Sequence, residues 1–234
     1  MEFIDELLGF GLTRQEATIY NAILVHGEMT GYEVAKQTGI SRSNTYTALA
    51  GLVEKGAAYA IEGSGKKYMP VDLRDFTNNK IRNLKELRES LLKHAPSQQV
   101  TSDGYITIKG EKHIMNQFCN MFLKAEKRIY LTATKTFLAA MKAYIQKLVV
   151  NGIKVVVITD DPEYNSNQVI VYHSDTKLKQ VGIIVDSIEV LTGELNEGDN
   201  STCLYTKNKN FVDVFKEMLS NKIKLIEIQG GNEQ

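Results

Sequence analysis

The chain has 234 residues, 43% of them hydrophobic, and its 28 basic side chains balance 28 acidic ones, so the formal net charge is zero. This length allows one or two domains with substantial cores, and the balanced charge excludes a global field that attracts nucleic acid or anionic lipid. Apolar runs stay short of the roughly 20 residues that span a bilayer, and the N-terminus lacks the basic start of a signal peptide. We therefore expect a cytoplasmic protein with no membrane partner.

The N-terminal part contains two capping boxes, each a Thr followed three residues later by a Glu. Thr13 and Glu16 predict the start of a supporting helix, and Thr30 and Glu33 predict the start of the first helix of a helix-turn-helix. In each box the two side chains satisfy backbone donors that would otherwise lack partners. Gly39 is expected to end the second of these helices.

A further helix is predicted from its cap, Ser41, towards Lys55, with Gly56 ending it. Its buried stripe is predicted to consist of Tyr46, Leu49, Leu52 and Val53. The first residues of a recognition helix reach base edges in the major groove. We therefore predict DNA contacts by the polar residues outside the stripe: Ser41, Arg42, Ser43, Asn44 and Thr47. Among these, Arg42 is the expected base or phosphate contact.

A wing is predicted to follow the helix pair, with strands at residues 57–62 and 67–71. The turn Gly63-Ser64-Gly65 joins them, because glycine allows the positive φ angles of tight hairpins. Lys66 and Lys67 would lie at the wing tip and pair with phosphates. Residues 1–72 would thus form a winged helix-turn-helix that binds DNA; the alternative is a helical module for protein contacts. Acidic side chains slightly outnumber basic ones here, so specific binding would depend on a dimer that docks on two half-sites.

A linker helix with a narrow apolar stripe is predicted at residues 73–96. Asp72 can cap this helix, and Pro96 breaks it. The stripe consists of Leu73, Phe76, Ile81, Leu84, Leu87 and Leu91. Charged residues flank it as they do in a short coiled coil, so we predict a dimerisation helix. The alternative is a helix that folds back onto its own domain.

A polar linker, residues 97–103, precedes a second domain predicted over residues 101–230. Its first strands are predicted at residues 105–108, 128–133, 153–159 and 169–173, with helices at 111–125 and 137–150. Short strands at 182–186, 188–192 and 202–205, a helix at 211–219 and a last strand at 223–228 complete the prediction. The fold class is therefore α+β overall, with a winged helix-turn-helix, a linking helix and an α/β sheet domain that has antiparallel additions.

Short motifs along residues 8–72 match one family: Gly11-Leu12-Thr13, Glu16-Ala17, Tyr20, Gly39-Ile40-Ser41-Arg42-Ser43, Tyr46, Leu49, Leu52, Lys55-Gly56 and Lys67-Tyr68. With them, this stretch resembles the DNA-binding domain of the TrmB-type transcriptional regulators of archaea and bacteria. Further matches are Ile108-Lys109-Gly110, Ala125, Ile129-Tyr130-Leu131 and Gly152-Ile153-Lys154-Val155. Through these the rest of the chain is similar to the C-terminal effector domain of that family, which is related in fold to phospholipase D.

The phospholipase D relatives include enzymes, whose chemistry needs a His nucleophile, a Lys two positions later and an acid after that. Asp186 resembles that acid, but Lys179 and Val181 stand where the His and the Lys belong. We therefore predict no catalytic residue in this domain; a remnant phosphodiesterase is the alternative. His residues and the cysteines Cys119 and Cys203 lack metal-ligand spacing, so we expect no metal site and no cofactor.

The crevice beyond the carboxyl ends of the strands remains, and α/β sheets bind ligands there. The candidate residues are Thr132, Thr134, Lys135, Thr159, Asp160 and Asp161. Such hydroxyls and carboxylates suit a sugar or another hydroxylated metabolite, although ordinary loop and capping duty is the alternative. The leading hypothesis is a homodimeric regulator that binds double-stranded DNA and responds to a small-molecule effector. A DNA-bound scaffold without an effector is the competing one.

Overall fold

The computed structural model describes residues 2–63, 65–96, 104–195 and 200–231. Two compact units divide between residues 98 and 99. Ser64 of the predicted wing turn and the predicted linker at 97–103 lie outside the described residues.

The N-terminal unit combines helices with a small sheet. Its elements are α1 (Glu2–Gly9), α2 (Arg14–His26), β1 (Met29–Thr30), α3 (Gly31–Thr38), α4 (Arg42–Glu54), β2 (Ala58–Ile61), β3 (Lys67–Pro70) and α5 (Leu73–His94). The strand order is β1-β3-β2, and β3 is antiparallel to both neighbours. The order of predicted helices and hairpin is observed. Strand β1 was not predicted, because two residues are too few to show a period.

Both capping boxes form as predicted. The Thr13 hydroxyl accepts the Glu16 N–H at 3.3 Å, and the Glu16 carboxylate accepts the Thr13 N–H at 2.6 Å. In the second box the matching distances between Thr30 and Glu33 are 3.3 and 2.8 Å. Gly39 follows α3 with a left-handed φ of 71°, a conformation that glycine adopts without a steric penalty. These local contacts fix where α2 and α3 begin and where α3 ends.

The buried face of α4 differs from the predicted stripe. Tyr46 is 49% exposed and Val53 is 37% exposed. The buried residues of this helix are Thr45, Ala48, Leu49 and Leu52. The Tyr46 ring instead lies against Gly31, where an added Cβ atom would clash with it. The face is thus centred one residue earlier than predicted, and a buried Thr takes the place that the sequence pattern gave to a tyrosine.

Tyr20 joins α2 to the end of the wing and to the start of α5. Its hydroxyl donates a hydrogen bond to the Val71 carbonyl at 2.8 Å, and its ring lies 5.5 Å from that of Phe76. Burial, with a smaller contribution from Asp72, raises the pKa of this phenol to about 12. Phe76 is the buried residue of α5. The stripe residues from Ile81 onward are exposed, so only the beginning of the stripe packs into the core of this unit.

The C-terminal unit is built around a seven-stranded sheet. Its elements are β4 (Tyr105–Lys109), α6 (Glu111–Lys124), β5 (Arg128–Ala133), α7 (Lys135–Val150), β6 (Lys154–Thr159), β7 (Ile170–His173), β8 (Val181–Val185), β9 (Glu189–Glu194), β10 (Thr202–Thr206) and α8 (Lys209–Gly231). The strand order is β4-β10-β9-β8-β5-β6-β7, with β5, β6 and β7 mutually parallel and the other pairs antiparallel. The α/β sheet with antiparallel additions is therefore confirmed.

Helices cover both faces of this sheet. On one face, Ile129 and Leu131 of β5 pack in the larger core with α6 and α7. On the other face, Tyr130 packs with residues of α8 around the buried Ile184. Alternate residues of a strand point to opposite faces. Strand β5 therefore separates an α6/α7 face from an α8 face.

The predicted last strand, residues 223–228, is wrong. These residues are helical and continue α8, which runs without interruption from Lys209 to Gly231. The apolar residues that pack on the sheet recur every three or four positions: Val212, Phe215, Leu219, Ile223 and Ile226. A short, apolar-rich run of six residues fits a strand equally well, but only the helical period continues the upstream stripe. Among the helices that the structure describes, none is both long enough and apolar enough to cross a bilayer.

Candidate functional site

The predicted DNA contacts lie on the exposed beginning of α4. Ser41, Arg42, Ser43, Asn44 and Thr47 are all exposed. The Ser41 hydroxyl caps the helix by accepting the Asn44 N–H at 3.4 Å, and the Thr47 hydroxyl donates to the Ser43 carbonyl at 3.1 Å. A helix N-terminus carries a partial positive charge and free N–H groups, which favour an anion such as phosphate. This end of α4 is thus open to a nucleic acid.

Arg42 is held by an aromatic residue of the preceding helix. Its guanidinium carbon lies 4.7 Å from the centre of the Tyr32 ring, within the range of a cation–π contact. Tyr32 is itself 52% exposed. The sequence analysis missed Tyr32; the available signal was an aromatic residue on the polar side of a helix next to the Arg42 turn. The contact restricts the directions in which Arg42 can reach out of the surface.

The wing lysines are paired with carboxylates of their own unit. Lys67 Nζ lies 2.7 Å from a Glu28 carboxylate oxygen, and Lys66 Nζ lies 3.5 Å from Glu62. The hydrogen bond to Glu28 raises the pKa of Lys67. A phosphate that approaches Lys67 must therefore compete with Glu28, which weakens the sequence-independent attraction that wing lysines usually supply.

A partly buried ion pair fixes α4 against α2. Lys55, just after α4, donates to the Glu16 carboxylate at 2.6 Å and to the Gly11 carbonyl at 3.0 Å. Glu16 is 6% exposed. Burial by itself opposes ionisation of Glu16, but the hydrogen bonds from Lys55 and from the Thr13 N–H prevail and lower its pKa. The side chain approaches Gly51 so closely that a Cβ atom there would clash with the carboxylate. The orientation of α4 thus depends on Glu16.

The six candidate ligand residues of the C-terminal unit do not form one cluster. Lys135 and Asp161 meet on the α7 side of the sheet, with Lys135 Nζ 3.4 Å from the Asp161 carboxylate. The same ammonium lies 2.7 Å from Glu163. Thr132 lines a different crevice, on the α8 side. Residues at the ends of neighbouring strands therefore lie on opposite faces of the sheet.

Four of the candidates, Thr134, Thr159, Asp160 and Asp161, accept hydrogen bonds from backbone N–H groups. The Thr134 hydroxyl caps α7 by accepting the Phe137 N–H at 3.4 Å. The Thr159 hydroxyl accepts the Asp161 N–H at 3.1 Å, and the Asp160 carboxylate accepts the Leu178 N–H at 2.8 Å. The sequence analysis left such backbone hydrogen bonds open as the alternative to ligand binding, because a polar side chain at a strand end is suited to either role.

Thr132 is different from the other candidates. Its hydroxyl oxygen is buried, with less than 1 Å² exposed, and has no hydrogen-bond partner among the described residues. A buried hydroxyl without a partner costs about 1–3 kcal/mol. The crevice that it lines measures about 370 Å³, which is within the usual size range of small-molecule sites.

Asp186, the residue that resembles a catalytic acid, is occupied by backbone hydrogen bonds. Its carboxylate accepts the N–H groups of Glu126, Lys127 and Arg128 at 2.8, 2.8 and 2.7 Å. Burial alone would raise its pKa, but these three donors prevail and lower it. Its φ of 50° places it in the left-handed region, which Asp tolerates better than most residues. Asp186 therefore holds the loop before β5 in place.

Lys179 and Val181 stand at the positions where the resemblance implies a catalytic His and Lys. Val181 begins β8 and is buried, and Lys179 is exposed in the segment before it. Within the described residues no group of three or more His, Cys, Asp or Glu side chains is arranged to hold a metal ion.

Comparison with known proteins finds a family profile that matches the N-terminal unit. The sequence profile described as "Sugar-specific transcriptional regulator TrmB" matches residues 7–74. YrhO of Bacillus subtilis (strain 168), described as uncharacterized, is 24% identical over 235 residues, which cover 96% of this chain and 86% of YrhO. TrmBL1 of Pyrococcus furiosus, described as an HTH-type sugar sensing transcriptional regulator, is 24% identical over 185 residues. That match covers 74% of this chain and 53% of TrmBL1, so the chain spans about half of TrmBL1.

Among solved structures, TrmBL2 aligns along most of the chain. It is described as an archaeal chromatin protein with a novel mode of DNA binding. The alignment covers 94% of this chain and 96% of TrmBL2, with 20% identity and a TM-score of 0.46. The profile match extends from the end of α1 to the beginning of α5 and so includes the capping boxes, Arg42 and the wing. Over residues 7–74 the N-terminal domain of this chain therefore matches the family model of the TrmB-type transcriptional regulators.

Proposed function

We propose that this protein is a sequence-specific, DNA-binding transcriptional regulator that acts as a homodimer. The observation that carries the proposal is the exposed beginning of α4, with Arg42 held by Tyr32 next to the Ser41 cap. The family description and the name of TrmBL1 support the same conclusion. In this proposal residues 1–72 bind DNA, residues 73–96 dimerise, and residues 101–230 sense an effector.

DNA recognition would divide between α4 and the wing. The beginning of α4 enters the major groove, where Arg42 reads a base edge and Ser41, Ser43, Asn44 and Thr47 contact bases or phosphates. Lys66 and Lys67 contact phosphates from the wing. Because both lysines already have carboxylate partners, most of the specific affinity comes from α4 and from the simultaneous binding of two half-sites.

Dimerisation would use the exposed stripe of α5. Leu84, Leu87 and Leu91 are 54%, 54% and 62% exposed, and they lie at spacings that put them on one helix face. A second copy of the same helix buries these side chains by coiled-coil packing. Residues 73–96 would then set the distance between two recognition helices.

The C-terminal unit would act by binding rather than by catalysis. Asp186 already accepts three backbone N–H groups, and Lys179 and Val181 replace the nucleophile and its partner. An effector changes DNA affinity only if it binds one arrangement of the dimer better than another. We therefore assign residues 101–230 a sensing role without a cofactor.

Selection of bound sequences from a random DNA pool tests the proposal, with the mass of the recovered complex measured alongside. We expect a two-fold symmetric motif, half-sites about one helical turn apart, and two chains per DNA duplex. No enrichment over background would contradict sequence-specific binding. An asymmetric motif bound by one chain would retain DNA binding and contradict the dimer.

The α5 interface has its own test in Leu87→Lys. A charge in the centre of the stripe should convert the dimer to a monomer in sedimentation measurements, because burying an unpaired ammonium is costly. Leu92→Lys is the matched control: Leu92 is 57% exposed, and neighbouring helix positions are rotated by about 100°. Equal oligomeric states for the two variants would exclude α5 as the dimer contact.

A further inference from the structure

A crevice on the α8 face of the sheet combines an apolar floor with cationic side chains. It lies between α8 and strands β8 and β9, and we call it the α8 crevice. Phe215, Met218 and Leu219 of α8 line it, together with Ile184 and Val190 of the sheet. Its volume of about 370 Å³ accommodates a metabolite-sized molecule with a hydrocarbon body.

The charges around the α8 crevice are mostly positive. Lys177, Lys179 and Lys222 line it, and Glu194 is the one carboxylate among its described lining residues. Lys222 is partly buried, and in the part of the chain that the structure describes it forms no ion pair within 4 Å. Burial lowers the pKa of Lys222, and Asp160 opposes that effect without cancelling it. An ammonium that has lost water and lacks a close carboxylate is stabilised by a bound anion.

The hydroxyl of Thr132 adds a second group that lacks a partner. It lies on the β5 side of the crevice and has no hydrogen-bond partner among the described residues. Buried hydroxyls are normally paired, and an orphaned one is a candidate for a ligand contact. A carboxylate or phosphate oxygen can accept a hydrogen bond from this hydroxyl and from an ammonium at once.

We propose that the α8 crevice is the effector site, and that its ligand is a small organic acid with an apolar body. Lys222 pairs with the acid group, Thr132 donates a hydrogen bond to it, and Phe215, Met218 and Leu219 cover the body. The inference builds on the proposed regulator function and changes its expected ligand from a sugar to an amphipathic acid. It also replaces five of the six residues predicted from the sequence and retains Thr132.

Calorimetric titration of the full chain with octanoate, without DNA, tests the site. Octanol provides the same apolar body without a charge, and inorganic phosphate provides an anion without a body. We expect saturable binding of octanoate with one molecule per chain, and much weaker binding of both other probes. Equal binding of octanoate and octanol would overturn the role of Lys222, and absence of octanoate binding would overturn the assignment of the site.

Variants of α8 and β5 locate the binding. Lys222→Met should weaken octanoate binding about tenfold, the usual worth of a charge-assisted hydrogen bond. Lys224→Met is the matched control, since Lys224 lies on the same helix but lines a neighbouring crevice. Thr132→Val should weaken octanoate binding severalfold and raise the melting temperature of the unliganded protein, because it removes an unpaired hydroxyl. Equal losses for Lys222→Met and Lys224→Met would mean diffuse attraction to the helix and would overturn the proposal.

The octanoate titration and the DNA selection can fail independently of each other. Octanoate binding with no DNA enrichment would leave the α8 crevice as a ligand site and contradict the regulator. DNA enrichment with no octanoate binding would retain the regulator and overturn this assignment of its effector.

Discussion

Two sets of polar contacts, one in each unit, span very different distances along the chain. In the N-terminal unit, Thr13 bonds Glu16 and Thr30 bonds Glu33, three residues apart. In the C-terminal unit, Asp186 bonds backbone groups 58 to 60 residues away. A partner three residues away is fixed by one turn of helix, whereas a partner 60 residues away depends on the strand order. The sequence alone therefore predicts the candidate site of the first unit but not that of the second.

The sharpest test of this contrast is Asp186→Asn. Asn retains the tolerance for a positive φ but loses the charge that three N–H groups share. We expect the free energy of unfolding of the C-terminal unit to fall by about 3–4 kcal/mol in urea titrations, since hydrogen bonds to charged groups are the strong ones. Because the folded pKa of Asp186 is lowered, its stabilisation is complete above the unfolded pKa and is lost as pH falls through the folded value.

The difference between the wild type and Asp186→Asn should therefore shrink on acidification below about pH 4. A difference that stays constant down to about pH 2 would contradict the ionised carboxylate as the source of the stabilisation. If the substitution instead left stability unchanged, the long-range bonds would not hold the loop before β5.

Gly193→Ala tests a second long-range constraint of the C-terminal unit. A Cβ atom there would lie 2.6 Å from the Cys203 Cα atom and would also clash with the Thr202 carbonyl. Backbone atoms cannot move aside cheaply, so we expect a loss of about 3 kcal/mol in unfolding free energy. Gly9→Ala is the control, because that position has open space within 4 Å and lies in α1, where Ala is preferred to Gly. An unchanged free energy of unfolding in Gly193→Ala would mean that β9 and β10 can move apart to accommodate the added methyl group.

The two capping boxes offer a matched pair within the N-terminal unit. Glu16→Gln should lower the unfolding free energy by about 2–3 kcal/mol, because it leaves the Lys55 ammonium without its buried partner. Glu33→Gln removes the same charge at an exposed position, where the Gln carbonyl oxygen can still accept the Thr30 N–H, and should cost less. Urea unfolding at neutral pH measures both. Equal costs would mean that the caps alone matter and that the Glu16–Lys55 pair contributes nothing.

The pH dependence of the Glu16 pair follows from its lowered pKa. The stabilisation is complete above the unfolded pKa of Glu16 and is lost as pH falls through the folded value. The wild type and Glu16→Gln should thus converge in acid. Convergence on the alkaline side instead would contradict the ionised Glu16 carboxylate as the source of the stabilisation.

The smallest expected effects concern DNA. Arg42→Ala should reduce binding to the selected sequence by about 2 kcal/mol and relax specificity at one position, if Arg42 reads a base. Lys67→Ala should weaken selected and random sequences alike by less than this, because Glu28 already neutralises part of the charge, and should lower the salt slope by about one. Titrations at several salt concentrations measure both. The division of labour fails if each variant loses the same amount on both sequences.

Tyr32→Ala separates positioning from contact at the same site. Loss of the cation–π contact should weaken specific binding less than Arg42→Ala, and Tyr32→Phe should restore it because the ring face is retained. Titration of both variants with the selected DNA sequence measures this difference in affinity. A Tyr32→Phe variant as weak as Tyr32→Ala would mean that the hydroxyl itself contacts DNA.

The sequence by itself determined the features that depend on neighbouring residues. Thr13, Thr30, Ser41 and Asp72 cap their helices as predicted, Gly39 ends α3, and the predicted DNA contacts of α4 are exposed. Each of these follows from side chains one helical turn apart, so a periodic pattern is sufficient to reveal it. Their contacts with DNA stay predictions.

Only the tertiary structure decided which residues share a surface. It turned Tyr46 outward against Gly31, made residues 223–228 part of α8, and placed Thr132 and Lys135 on opposite faces of one sheet. Thr132 and Lys222 are 90 positions apart, yet they line one crevice because β5 lies beneath α8. No local period encodes such a pairing, since it depends on the order in which β8 and β9 join the parallel strands.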